Sequence, residues 1–260
     1  MQTLLDLVPR RTLIGSLTLA VGLPALVLAG WLGPWSPGAL ARADRMAEQG
    51  EWSEAVESYR AIAAWNPWKE TRADATYAGG TVAATAGLHR TAQDLLRRFE
   101  ANYPEDDRQD EVQARLGTVY EGLGRPQAAA RAYERSLETQ PQDAGQRHLR
   151  AGDLWLQAER PRLAWSQWEK AAEFSDSQHQ AWLRMARARL EAGDHEGADE
   201  YYVRMLESGA TDEWEELARL GRAICAERKG DYTEALASLE SLEGPKVERA
   251  RERVERRSGD

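Results

Sequence analysis

Only one cysteine, Cys225, occurs in 260 residues. That excludes an internal disulfide and a thiolate zinc site, but not an oxidising compartment, because large domains fold without disulfides. Histidine is scarce as well: His89, His148, His179 and His195 are scattered along the chain, and no pair has metal-ligand spacing. Motifs for nucleotide, calcium, zinc-protease or serine-hydrolase chemistry are missing; there is no Gly-rich phosphate loop, H-E-x-x-H, EF-hand loop or G-x-S-x-G. No catalytic residue, cofactor or metal is therefore expected, and the chain is not read as an enzyme. Basic charge is in deficit, 34 Lys and Arg against 43 Asp and Glu for a net charge of −9. Such a chain repels phosphate backbones, so nucleic acid is not an expected partner. Phenylalanine occurs twice, against ten tryptophans.

What the chain does have is a returning pattern. A turn residue is followed five positions later by Ala, and four after that by an aromatic or Leu. It reads Gly50–Ala55–Tyr59, Gly87–Ala92–Leu96, Gly124–Ala129–Tyr133, Glu159–Ala164–Trp168, Gly193–Ala198–Tyr202 and Gly230–Ala235–Leu239, with starts 37, 37, 35, 34 and 37 residues apart. A period in this range predicts stacked helical hairpins. The third return shows why. Leu116, Val119, Tyr120 and Leu123 recur at helical spacing. Gly124 stops that helix by entering the left-handed region, and Pro126 suits the first turn of the next. Gly117 and Ala129 are short enough for two helices to cross closely, with the neighbouring aromatic filling the gap to the next hairpin. The tryptophan excess is accordingly read as packing, with Trp155 and Trp168 predicted to be buried. Cys225, inside the apolar stretch 220–226, reads as a small buried hydrophobe.

The residues at these positions resemble the tetratricopeptide repeat (TPR) family. Leu116, Gly117, Tyr120, Ala129, Tyr133 and Pro141 carry the likeness best, followed by Ala55, Tyr59 and Pro67, then Gly152, Trp155, Ala164, Trp168 and Ala171. The second repeat departs at its first helix, which holds Gly79-Gly80 and a run of Thr and Ala. The resemblance implies an all-α, right-handed α-solenoid of about six hairpins over residues 39–243. The charged segment 244–260 then follows as a capping helix or a tail.

Ahead of this array, residues 13–32 contain no charged side chain, a run whose helical length of about 30 Å matches the hydrocarbon core of a bilayer. Arg10 and Arg11 precede it, and Trp31 and Trp35 close it, which places basic residues at a cytoplasmic end and indoles at the far interface. The expected layout is a cytoplasmic N-terminus at 1–11, a transmembrane signal-anchor at 12–33, a linker at 34–38 and an extracytoplasmic solenoid. A cleaved signal peptide with a site near Ala39-Leu40-Ala41, a twin-arginine signal at Arg10-Arg11 and a buried soluble helix remain as alternatives.

The resemblance also implies where partners would bind. In such arrays the first helix of each hairpin lines a groove, and the inward position falls on Arg115, Arg150 and Arg184, with Arg187 one turn on. A ladder of guanidiniums would hold carboxylates or an acidic peptide by bidentate hydrogen bonds. The competing reading is ordinary surface pairing with Glu111, Asp153 and Glu191. The family's carboxylate clamp is absent, because Leu40 and Asp44 stand at the equivalent positions, which argues against an Hsp-type co-chaperone. The functional expectation is a membrane-anchored scaffold or assembly factor for protein partners. The alternative is a permanent accessory subunit of a respiratory, secretion, pilus or glycan-assembly complex.

Overall fold

The computed structural model describes residues 33–139, 141–209 and 211–259. Over these residues the chain is all-α, with thirteen helices and no strand. The helices fall into two compact units that divide between Gly124 and Arg125. The first unit holds α1 (Ala39–Glu48), α2 (Trp52–Trp65), α3 (Lys69–Thr85), α4 (His89–Asn102) and α5 (Gln109–Gly122). The second holds α6 (Pro126–Arg135), α7 (Ala144–Gln157), α8 (Pro161–Ala171), α9 (Gln178–Glu191), α10 (His195–Glu207), α11 (Asp212–Lys229), α12 (Tyr232–Leu239) and α13 (Pro245–Ser258). Within each unit every helix packs on its neighbours in sequence, and alternate helices α1, α3 and α5, or α7, α9 and α11, also adjoin.

The returning motif sets the turns. Gly50, Gly87, Gly124, Glu159, Gly193 and Gly230 all have positive φ, between 59° and 84°, and Glu159 is the one non-glycine among them. The left-handed residue closes the preceding helix with a paired backbone bond. At Gly193, for example, Gly193 N–H donates to Leu190 O at 3.0 Å and Asp194 N–H to Arg189 O at 2.9 Å. The following helix then begins at once. Pro126 and Pro161 occupy its first turn in α6 and α8, and the Asp194 carboxylate caps α10 by accepting from Gly197 N–H at 2.9 Å.

The alanines of the motif, Ala55, Ala92, Ala129, Ala164, Ala198 and Ala235, are all fully buried, as close helix approach requires. Tyr59, Leu96, Trp168, Tyr202 and Leu239 are buried beside them and Tyr133 is half-buried. The departure from the pattern at Gly79-Gly80 has a packing cause. A β-carbon at Gly79 would lie 2.8 Å from Tyr59 Cβ, and one at Gly80 would lie 2.7 Å from Leu96 Cδ2. The two glycines weaken α3 as an isolated helix by about 1 kcal/mol each, yet they let it sit between α2 and α4.

Packing explains fewer tryptophans than the repeat pattern implies. Trp155 and Trp168 are buried and Trp165, Trp182 and Trp214 are half-buried, but Trp35, Trp52, Trp65 and Trp68 are exposed. The short segment expected as a linker is tied down. Ser36 is buried, Arg42 Nη2 donates to Ser36 Oγ at 2.8 Å, and Asn66 Nδ2 donates to Pro34 O at 2.8 Å. At the other end α13 lays Val247 and Val254 into the apolar surface of α11 and α12. Of the anchor expected at 12–33, residues 12–32, Trp31 included, lie outside the described residues, as do Arg10 and Arg11 before it. Among the described residues no helix is long and apolar enough to cross a membrane.

Candidate functional site

Three of the four arginines singled out in the sequence gather in the second unit. From α9, Arg184 reaches Asp153 on α7 with two hydrogen bonds, Nε to Oδ1 at 2.7 Å and Nη2 to Oδ2 at 2.9 Å. Asp153 also accepts from Trp168 Nε1 at 3.1 Å. Arg150 precedes Asp153 by one turn on α7, and Arg187 follows Arg184 by one turn on α9, so each lies on the same helix face as the ion-paired residue beside it. Both are exposed. Arg150, Arg184 and Arg187 thus lie on α7 and α9, with Arg184 committed to Asp153. Arg115 belongs to the first unit, where it pairs with Glu111 one turn earlier and lies 5.7 Å from the centre of the Tyr77 ring.

A second constellation involves α6, α7 and α8, which border a cleft of about 800 Å³. A chain of hydrogen bonds runs along it. His148 Nδ1 donates to Gln167 Oε1 at 2.7 Å, Gln167 Nε2 donates to Glu134 Oε1 at 2.8 Å, and Trp155 Nε1 donates to the same oxygen at 2.8 Å. Burial pushes the His148 imidazole below its ordinary value, with the Gln167 bond opposing the shift. The ring is therefore neutral at pH 7, with its proton on Nδ1. Glu138, Glu173 and Lys170 ring the opening, and Phe174 lies 6.0 Å from the His148 ring, centre to centre. Carboxylates outnumber cations here, and an aromatic wall stands beside them, which suits a cationic or amide side chain of a bound segment. Sequence spacing gave no hint of this group. The one legible sign is Gln167, a polar residue inside the apolar stripe Ala164, Trp168 and Ala171, where burial demands partners.

The remaining candidates resolve into structure. Asp106, in the acidic loop 105–107, binds Arg108 through both carboxylate oxygens, and Asp74 holds the same guanidinium at 2.9 Å. Hydrogen bonding to Arg108 keeps the Asp106 carboxyl below the usual range, against the opposing effect of burial. His179 donates to or accepts from Ser208 Oγ at 2.7 Å and stacks on Trp214. Burial pushes the Cys225 thiol up to about 11, so it is protonated at neutral pH and is no nucleophile. Among the described residues no three His, Cys, Asp or Glu side chains gather in a metal-binding group.

A sequence profile of the tetratricopeptide repeat family matches residues 114–180 and 183–250. The chain belongs to the tetratricopeptide repeat family. Solved TPR structures share its fold. The C-terminal part of a TPR repeat-containing protein from Cytophaga hutchinsonii has a TM-score of 0.65 at 15% identity, over 87% of this chain and 91% of that one. A TPR protein from Parabacteroides merdae gives 0.54 at 17% identity, over 85% and 88%. YrrB, described as a TPR protein with an unusual peptide-binding site, gives 0.51 at 16% identity, over 78% and 91%. No curated protein matches the sequence. In TPR terms, Arg150, Arg184 and Arg187 belong to first helices of their repeats, whereas two of the three helices bordering the His148 cleft are second helices.

Proposed function

We propose that this TPR protein is a scaffold or assembly factor for protein partners, without catalytic activity. Residues 12–33 hold it in a membrane, with its N-terminus cytoplasmic and the repeats on the extracytoplasmic side. The observation that supports the partner-binding half is the placing of Arg150, Arg184 and Arg187 on α7 and α9, joined through the Arg184–Asp153 bridge, in a chain of net charge −9. Such guanidiniums suit a carboxylate-rich segment of a partner. The anchor half rests on the uncharged run at 13–32. Confinement to a surface would raise the effective concentration of the repeats for membrane-borne partners.

The test keeps the Arg184–Asp153 pair, which is structural, and changes the two exposed charges. Titration of a short polyglutamate peptide into the full chain should show binding that weakens as salt rises. Arg150→Glu with Arg187→Glu should reduce the affinity about tenfold or more, since each 1.4 kcal/mol is a factor of ten, with helicity unchanged. Equal binding by the double variant would remove these arginines from the function. A second reading, a permanent accessory subunit of an envelope complex, draws on the exposed indoles of Trp65 and Trp68.

A further inference from the structure

We infer that Trp35, Trp65 and Trp68 form an interfacial belt by which the first unit rests on the bilayer surface. The inference rests on the proposed anchor and adds a contact that the anchor alone does not require. These indoles are the three most exposed large apolar side chains among the described residues, at 55%, 68% and 56%. They also belong together. Asn66 is buried between Trp65 and Trp68 in sequence, and its Nδ2 donates to Pro34 O at 2.8 Å, next to Trp35. Its Oδ1 accepts from Trp68 N–H at 3.0 Å. Arg72 Nη1 closes the turn from the other side, donating to Asn66 O at 2.8 Å and Pro67 O at 3.1 Å. The tryptophans are thus presented by a pinned double turn and not by loose chain.

The choice of a lipid surface over other occupants follows from the reach of the chain. The apolar run at 13–32 gives way to Gly33-Pro34 after Leu32, and Trp35 is three residues on from Leu32, at most about 11 Å away. If that run occupies the hydrocarbon core, Trp35 cannot leave the headgroup region, and the Asn66–Pro34 bond carries Trp65 and Trp68 to the same level. Tryptophan favours that depth because its ring is apolar and its N–H needs a polar partner. Lys69 follows Trp68 directly and is exposed, with the charge that an anionic headgroup would meet.

The test uses the full chain in vesicles of phosphatidylethanolamine and phosphatidylglycerol, with part of the lipid brominated near the top of the acyl chains. Bromine quenches only indoles at that depth. In the wild type, Trp31, Trp35, Trp65 and Trp68 are the expected quenched set, so Trp65→Phe with Trp68→Phe should remove roughly half of the quenchable emission. Helicity should be unchanged, because both side chains are exposed. Equal quenchable emission in the two proteins would overturn the belt, and would mean that the indoles face water or are covered by protein, either a partner or residues of the chain's own N-terminus. Alkaline carbonate extraction reads the anchor separately. A chain retained by the vesicles but lacking the quenching difference overturns the belt and leaves the anchor standing. A chain that carbonate strips away overturns the anchor, and the quenching comparison at neutral pH then decides the belt alone.

Discussion

A single dihedral angle shows how closely residue and fold are linked here. Five of the six motif turns use glycine, and the fourth uses Glu159 at φ 59°. A side chain in that region is strained by about 1–2 kcal/mol. Glu159 is exposed, so nothing is lost on its removal. Glu159→Gly should stabilise the protein by about 0.5–1 kcal/mol after the extra chain entropy of glycine is subtracted, measured as a higher urea midpoint at unchanged slope. Gly221 makes the opposite case. It lies in the middle of α11, where alanine is the better helix former, yet a β-carbon there would overlap the Tyr202 ring. Gly221→Ala should therefore destabilise by about 1–3 kcal/mol through overpacking. The penalty should shrink in a Tyr202→Ala background, and a double-mutant cycle without coupling would refute the contact.

At the scale of elements, each helix was legible where its signal was local. Gly and Pro punctuation, the buried alanines and the aromatic four residues on all act within a repeat or against the next, so the period alone located the hairpins. Elements set by longer-range partners were not legible. The segment 34–38 reads as a linker but is held by Arg42 and Asn66. The charged C-terminal segment reads as a capping helix or a tail, and α13 is that helix, with Val247 and Val254 buried among its charges; which side chains pin it is a longer-range matter. Glu227 on α11 accepts from Arg253 at 2.7 Å and from Arg257 at 3.0 Å, and its carboxylate is nearly buried. The Arg253 bond above all holds that carboxyl below its usual range, against the opposing effect of burial. A carboxyl with a lower pKa folded than unfolded binds protons more readily in the unfolded chain. Its contribution is complete above the unfolded value of about 4.3 and fades as pH falls through the folded one. Hydrogen exchange should show α13 losing protection in acid below about pH 4. Glu227→Gln should flatten that dependence and weaken the helix by about 1–3 kcal/mol at pH 7.

Over the whole molecule, six similar repeats are distributed between two units that divide at the third turn, a grouping that no difference among the repeats announces. The arginines follow the same division. Sequence spacing made one ladder of Arg115, Arg150 and Arg184. The structure groups Arg150, Arg184 and Arg187 in the second unit and pairs Arg115 with Glu111 in the first, and for that reason the peptide-binding prediction is placed on Arg150 and Arg187. By itself the sequence determined the repeat family, the turn positions and the buried alanines, because these depend on backbone conformation and on neighbours a few residues away. It also supplied the uncharged run from which the membrane reading comes. Only the tertiary structure decided which charges meet and which tryptophans stay outside. Arg184 and Asp153 are 31 residues apart and Asn66 and Pro34 are 32 apart. At such separations the contact depends on how successive hairpins pack, and the residue types alone do not encode it.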